Sequence, residues 1–431
     1  MSKSGARPRR SIRTLSLALT IGALAVSLGG ALATGLTLYP NFAEVREQVN
    51  ATGNAFNLTL PAELAGSLVP GTLNLEGVTV SKVTQVAATD SLLSAFVGRE
   101  VSVQRGLQVV KARVLDATRN LFQLPNGSVF TADPGSVTFP DMNGVRFNPS
   151  WQFTLAAGGP ATLSYLTRAI SWSPRYDLTM NGDTGSSWWA WADVNNQSSV
   201  VYDASRLDLV AGQVNTAGPR YFESMATAKM ADSASVQSNG ESAGLRLYKL
   251  EQAVNFAPRS TTSVPFTLPH VSTQRLLEYR GSFSAMGKQI LPLQRVYDVT
   301  PDDDLPAGIV TIRDEGRVVG QAGLPDTTKN ETQTLGVGQD FDLRLTRTVS
   351  VLENSKAQSR YKVTFSLVNT KTRTVTVRLL ENLTQYGRSF ELSSVILPNL
   401  KRDLSGFTAL ATLGPSARME ASYQVTYKPL P

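Results

Sequence analysis

The sequence predicts an all-β protein built as multi-domain antiparallel β-sandwiches with a small curled N-terminal β-sheet domain. Three observations lead there. Apolar and polar residues alternate, as in Tyr361, Val363, Phe365 and Leu367 against Lys362, Thr364 and Ser366, which is the pattern of a strand with one buried face. Turn-forming residues separate such runs, and the pair Asn126-Gly127 between two of them is a strong hairpin signal. In the last third of the chain, no helical stretch lies between the runs, which favours sandwiches over α/β layers.

The first 33 residues read as a signal peptide. Lys3, Arg7, Arg9, Arg10 and Arg13 form a basic head, Leu15 to Ala33 is apolar or small throughout, and Ala31-Leu32-Ala33 supplies a small-residue cleavage site,. The alternative is an uncleaved signal anchor, because the apolar run approaches bilayer-spanning length. Repeated Gly and Ala make it weakly apolar for an anchor. Membrane association is therefore expected only through this segment, if it is retained.

Residues 34–97 form an N-terminal β segment with alternating stretches at Leu58-Thr59-Leu60 and Val78-Thr79-Val80. Residues 98–149 read as the small curled sheet, with short strands around Val101, Val109 to Leu115, Asn120 to Leu124 and Val129-Phe130. Residues 150–300 form a β-sandwich of longer strands, interrupted at 225–240 by a mobile insertion rich in Ser, Ala, Met and Gln. Residues 301–431 form a C-terminal β-sandwich. There, Asn369-Thr370-Lys371-Thr372 reads as a polar hairpin turn before Val375, Val377 and Leu379. A closed outer-membrane barrel fits poorly, since its strands need aromatic girdles and the tryptophans here gather in one region.

Composition excludes several function classes. The net charge of +7 comes largely from the basic head, so the remaining chain is close to neutral and has little pull on nucleic acid. The chain has no cysteine, which removes disulfides, thiolate metal sites, cysteine nucleophiles and a lipid-bearing cysteine.

The middle of the chain resembles a known family. Tyr165-Leu166-Thr167, Trp172 and Tyr176 are spaced as in a "Y-L-T-x-G-L-x-W-x-x-x-Y" segment, with Ala169 where that segment has Gly. Trp191 through Asn196 is similar to a following strand that ends in an Asn pair, and Tyr202 to Asn215 to an "A-x-L-x-L-V-A-G-x-V" segment. Leu305-Pro306-Ala307-Gly308 resembles an "L-P-A-G-x-V" turn, Gly336 to Asp342 a "G-x-A-F-D" element, and Val368-Asn369-Thr370-Lys371 an "N-x-K" hairpin. Together these resemble the bacterial domain-of-unknown-function 4139 family, over roughly Phe96 to Tyr427. The resemblance implies a fold and a cell-envelope setting, and no reaction.

Candidate chemistry is sparse. The single histidine, His270, has no G-x-S-x-G elbow beside it and reads as a loop residue. With one His and no Cys, a zinc site has only carboxylates left. Asp302-Asp303-Asp304 lacks the ligand spacing of a calcium loop and reads as solvated. No catalytic residue, metal ligand or cofactor is expected.

The best candidates for ligand binding are Trp188, Trp189, Trp191, Asp193 and Asn195. Trp189 and Trp191 share a strand face with Asp193 and Asn195, where exposed rings stack on a sugar and the polar groups bond its hydroxyls. The competing reading packs the rings between two sheets. The function expected is thus a non-enzymatic structural or interaction protein of the bacterial cell envelope. It would be exported to the periplasm or cell surface, with an envelope protein or a surface glycan as partner. A carbohydrate- or peptidoglycan-active hydrolase, or a glycan-binding protein using the Trp cluster with Asp193, Asp203 or Asp208, is the alternative.

Overall fold

A computed structural model describes residues 25–27, 33–212, 214, 245–250, 253–266 and 268–430. The expected insertion at 225–240 lies outside the described residues. So does the expected leader, apart from Ala33 and a three-residue strand at Ala25–Ser27. The described chain is nearly all β. Its longest helix is the single turn and a half of Ala62–Ser67, and no described helix is long and apolar enough to cross a membrane.

The chain divides into two compact units. The first contains Arg46–Leu68 and Thr72–Tyr165. One of its sheets orders the strands Ala25–Ser27, Ala55–Thr59, Ser150–Leu155 and Val80–Val86. Trp151 pairs with Leu58 and Phe153 with Phe56, so alternate positions drive large side chains into one buried layer,. The small sheet of this unit orders Val129–Thr131, Leu121–Gln123, Gln108–Asp116, Glu100–Arg105 and Val137–Thr138. The Asn126-Gly127 hairpin forms with Gln123 opposite Val129. A register shift between Val114 and Asp116 curls the sheet around Phe96, Val103, Val114 and Phe122, as bulges do.

The second unit contains Leu32–Val45, Val69–Gly71 and Leu166–Pro431. Its five-stranded sheet orders Ser260–Pro265, Gly185–Asn196, Ile170–Asn181, Gly308–Asp314 and Arg317–Leu324. The central pair, Ile170–Asn181 with Gly308–Asp314, is parallel, a departure from the antiparallel expectation. Tyr176 explains how the distant segment is held. Its hydroxyl donates to the Pro306 carbonyl at 2.8 Å, while a Cβ on Gly308 would stand 2.5 Å from the Pro174 oxygen. Only glycine allows that approach.

This unit also holds a nine-stranded sheet, with Arg388–Ile396 at one end of the order and Lys401–Arg402 at the other. Three of its strands, Val271–Ser282, Lys288–Pro301 and Gln333–Asn354, are long enough to serve two cores. Their outer parts place Val271, Tyr297, Val299 and Leu335 against Tyr176, Leu178 and Ile312. Their other parts place Leu277, Leu293, Leu343 and Leu345 against Val363, Phe365, Leu379 and Tyr423. The expected sandwich boundary at 300/301 therefore falls at the end of a strand that belongs to both cores.

The turn after Asn369 also differs from its expectation. Ser359–Asn369 pairs with Gln333–Asn354 and Arg418–Pro429, whereas Val375–Asn382 pairs with Val271–Ser282 and Gly406–Leu413. The segment is a corner rather than a hairpin. Asn369 makes it one: its buried amide donates to the carbonyls of Arg373, Leu413 and Gly414, and its oxygen accepts from the Lys371 amide. Asn196 braces a second corner in the same way, through Val200, Phe256 and Ala257. Asn369→Ala is expected to cost about 2 kcal/mol, because buried carbonyls lose their donors without gaining water. A urea midpoint shift with unchanged slope checks this.

Candidate functional site

The candidate site is built on the strand Gly185–Asn196. Ala190, Ala192, Val194 and Asn196 point into the protein, which leaves Trp189, Trp191, Asp193 and Asn195 on the opposite face,. Register sets their neighbours. Trp189 stands opposite Asp177, and Trp191 between Arg175 and Pro265. Asp193 lies between Ser173 and Ser263, and Asn195 between Ser171 and Thr261. Farther across the sheet, Arg175 and Asp177 meet Ile309 and Thr311. Register partners share a face, so these side chains make one continuous surface.

Its polar groups are organised around Arg175. The guanidinium donates to Asp193 at 2.9 Å and to Asp177 at 3.2 Å, and its centre lies 5.7 Å from the Trp191 ring centroid. Ser263 donates to the second oxygen of Asp193 at 2.6 Å. Both carboxylate oxygens of Asp193 are thereby fixed, and the planar guanidinium beside Trp191 extends the ring surface. Trp189 is 63% exposed and Ile309 51%. The face thus offers an open indole, a half-buried one beside it, and a fixed charged strip.

Trp188 does not join this face. Its indole N–H donates to Thr273 at 2.9 Å, and its ring meets Tyr176 edge-on at 6.3 Å against the buried core. Burial pushes the Tyr176 hydroxyl well above its ordinary range, consistent with a fixed donor. Trp172 is buried too and donates to the Val210 carbonyl at 3.0 Å.

The other carboxylates weighed from the sequence are dispersed. Asp193, Asp203 and Asp208 stand on three separate sheets. Asp304 is held by Arg246 and by the Lys329 amide, and the Arg246 hydrogen bond lowers its carboxyl below the ordinary value. His270 is exposed in a loop. Among the described residues, no group of three or more His, Asp or Glu is placed to hold a metal.

Alternation along one strand locates Trp189, Trp191, Asp193 and Asn195. It does not locate Arg175, Asp177 or Ser263, which reach the site only through sheet register. The one local signal for Arg175 and Asp177 is their polar phase with Ser173 between Trp172, Tyr176 and Leu178; Ser263 has none there.

Fold and face together define an all-β protein with several sheets and an open aromatic surface on one of them. No protein-family model matches the chain, and no curated protein matches it significantly.

Proposed function

We propose that this protein is a non-enzymatic binding component of the bacterial cell envelope, exported to the periplasm or cell surface, which holds a surface glycan on the Trp189 face. The observation that carries this reading is the 63% exposure of Trp189 on a sheet face whose neighbouring carboxylate is immobilised by Arg175 and Ser263. An open indole in line with the half-buried Trp191 ring and a fixed carboxylate supports stacking on sugar rings with hydrogen bonds to their hydroxyls,. The basic head and apolar run at the N-terminus support export. The resemblance to the domain-of-unknown-function 4139 family supports the envelope setting. Hydrolysis is less well supported, because Asp177 and Asp193 both serve the same guanidinium and the other candidate acids stand on different sheets.

The test is cosedimentation of the purified protein with cell-wall glycan prepared free of protein. Retention is expected, and Trp189→Ala is expected to weaken it about thirtyfold, the loss typical of an anchoring aromatic worth about 2 kcal/mol. The exposed position makes the variant nearly neutral for folding. Equal retention of the variant would remove the face from the binding site. Recovery of an envelope protein instead of glycan would replace the partner while keeping the face.

A further inference from the structure

A second feature lies where the three long strands pass from one core to the other. Pairing between Lys288–Pro301 and Gln333–Asn354 is interrupted twice there. Leu291 pairs with Leu345 but Leu293 with Asp340, so Phe341 to Arg344 stand against Pro292 alone. Gln294 pairs with Gln339 but Val296 with Gly336, so Val337 and Gly338 stand against Arg295 alone. Gly338 has φ of +121°, a conformation that side-chain-bearing residues rarely adopt. Bulges of this kind re-aim side chains, and here they open a cleft of about 320 Å³ that Arg295 and Phe341 line.

The cations around the cleft are committed, with one exception. Arg275 grips both oxygens of Asp314 at 2.7 and 2.8 Å. Lys371 lies 2.9 Å from Asp340 and 3.0 Å from Asp342. Arg373 lies 3.4 Å from Glu315 and 3.5 Å from Asp183. Arg295 has no such partner among the described residues, and its Nε is buried without a hydrogen bond. A half-buried guanidinium with no ion-pair partner at the wall of a cleft gains most from a carboxylate, which its outer nitrogens meet in a planar, charge-assisted fork,.

Beside those cations the lining carries carboxylates of the complementary sign. The side chains of Glu315 and Asp342 are 71% and 66% exposed, which leaves acceptor oxygens open to an incoming ammonium group. Phe341 is 87% exposed and supplies an apolar rim. The volume is at the small end of ligand sites, which run from about 300 to 1,000 Å³, so it suits one or two residues rather than a polymer.

We propose that this cleft binds a small zwitterionic ligand, a free amino acid or dipeptide. Its carboxylate sits on Arg295, its ammonium faces Glu315 or Asp342, and its side chain lies against Phe341. The site is separate from the Trp189 face and does not depend on the glycan reading.

Calorimetric titration with alanyl-alanine, its C-terminal amide and its N-acetyl form tests this. The free dipeptide is expected to bind in the micromolar to millimolar range. The amide is expected to bind roughly ten- to a hundredfold more weakly, the loss of one charge-assisted hydrogen-bonded pair. The acetylated form should weaken less, since Glu315 and Asp342 remain solvated. Arg295→Gln should match the amide's loss while keeping the wild-type circular dichroism spectrum, and Phe341→Ala, on an exposed side chain, should weaken binding without affecting folding. Trp189→Ala should bind the dipeptide as the wild type does. Absence of dipeptide binding at 10 mM, on the order of the weakest useful affinity, overturns the proposal. So does equal affinity for acid and amide, or undiminished binding by a folded Arg295→Gln protein.

Discussion

Arg347→Met is expected to destabilise the second unit by about 3–5 kcal/mol, the cost of stranding a buried charge. Arg347 and Glu381 are 1% and 2% exposed. The guanidinium Nε donates to one carboxylate oxygen of Glu381 at 3.0 Å, and Nη1 donates to the Ser284 carbonyl at 3.0 Å. The surroundings are aromatic: Tyr279, Tyr423 and Tyr427 belong to the same core, and the Phe283 ring centroid lies 5.5 Å from the guanidinium carbon. Burial already raises the Glu381 carboxyl above its ordinary value, against the pull of Arg347. Removing the cation takes that pull away.

The folded variant then binds a proton that the unfolded chain releases above its own carboxyl pKa, so its deficit grows as pH rises from the acid range. Urea titrations at pH 4 and pH 8 check the sign, with the larger wild-type-to-variant gap expected at pH 8. The double variant Arg347→Met with Glu381→Leu should recover most of the loss, because it also removes the uncompensated carboxylate. A double variant as unstable as the single one would mean that packing, rather than charge, sets the cost.

That pair sits in the second of two cores joined by shared strands. Val271–Ser282, Lys288–Pro301 and Gln333–Asn354 each contribute side chains to both. Strain introduced in one core therefore has a covalent and hydrogen-bonded route to the other, and the bulges around Arg295 lie along that route. The same bulges that let one sheet serve two cores also open the cleft.

How far the sequence reveals these features depends on the range of the interaction. Period-two alternation is local, so Val363, Phe365 and Leu367 are legible as one buried face, and they are fully buried. The Asn126-Gly127 hairpin is legible for the same reason. Asn369-Thr370-Lys371-Thr372 misleads because a polar turn and a corner have the same composition. What separates them is the bond from Asn369 to the carbonyls of Leu413 and Gly414, far along the chain. The parallel join of Arg175 to Ile309 is equally non-local. Arg295 carries no sequence signal, since its special position comes from a register shift in the partner strand. Segments far apart in the chain meet in the same non-local way: Lys371 clasps Asp340 and Asp342, and Tyr176 bonds the carbonyl of Pro306.

Glu47→Gln is expected to stabilise the first unit at pH 8 by about 2–3 kcal/mol and to leave it unchanged at pH 4. Glu47 occupies an inward position of the strand Ala43–Ala51 and is 6% exposed. Burial pushes its carboxyl up to about 7 from the ordinary 4.5. Between those values the folded chain holds a proton that the unfolded chain has released. Stability therefore falls as pH rises from about 4.5 to about 7, and is flat below and above that window,. Glutamine keeps the shape of the protonated acid and cannot ionise, so it removes this penalty where the penalty exists. Denaturant midpoints of wild type and variant should coincide at pH 4 and separate as pH rises, with the gap constant beyond about pH 8. A gap that is the same at every pH would mean that the amide changes packing or hydrogen bonding, and that Glu47 is already ionised in the folded protein at neutral pH.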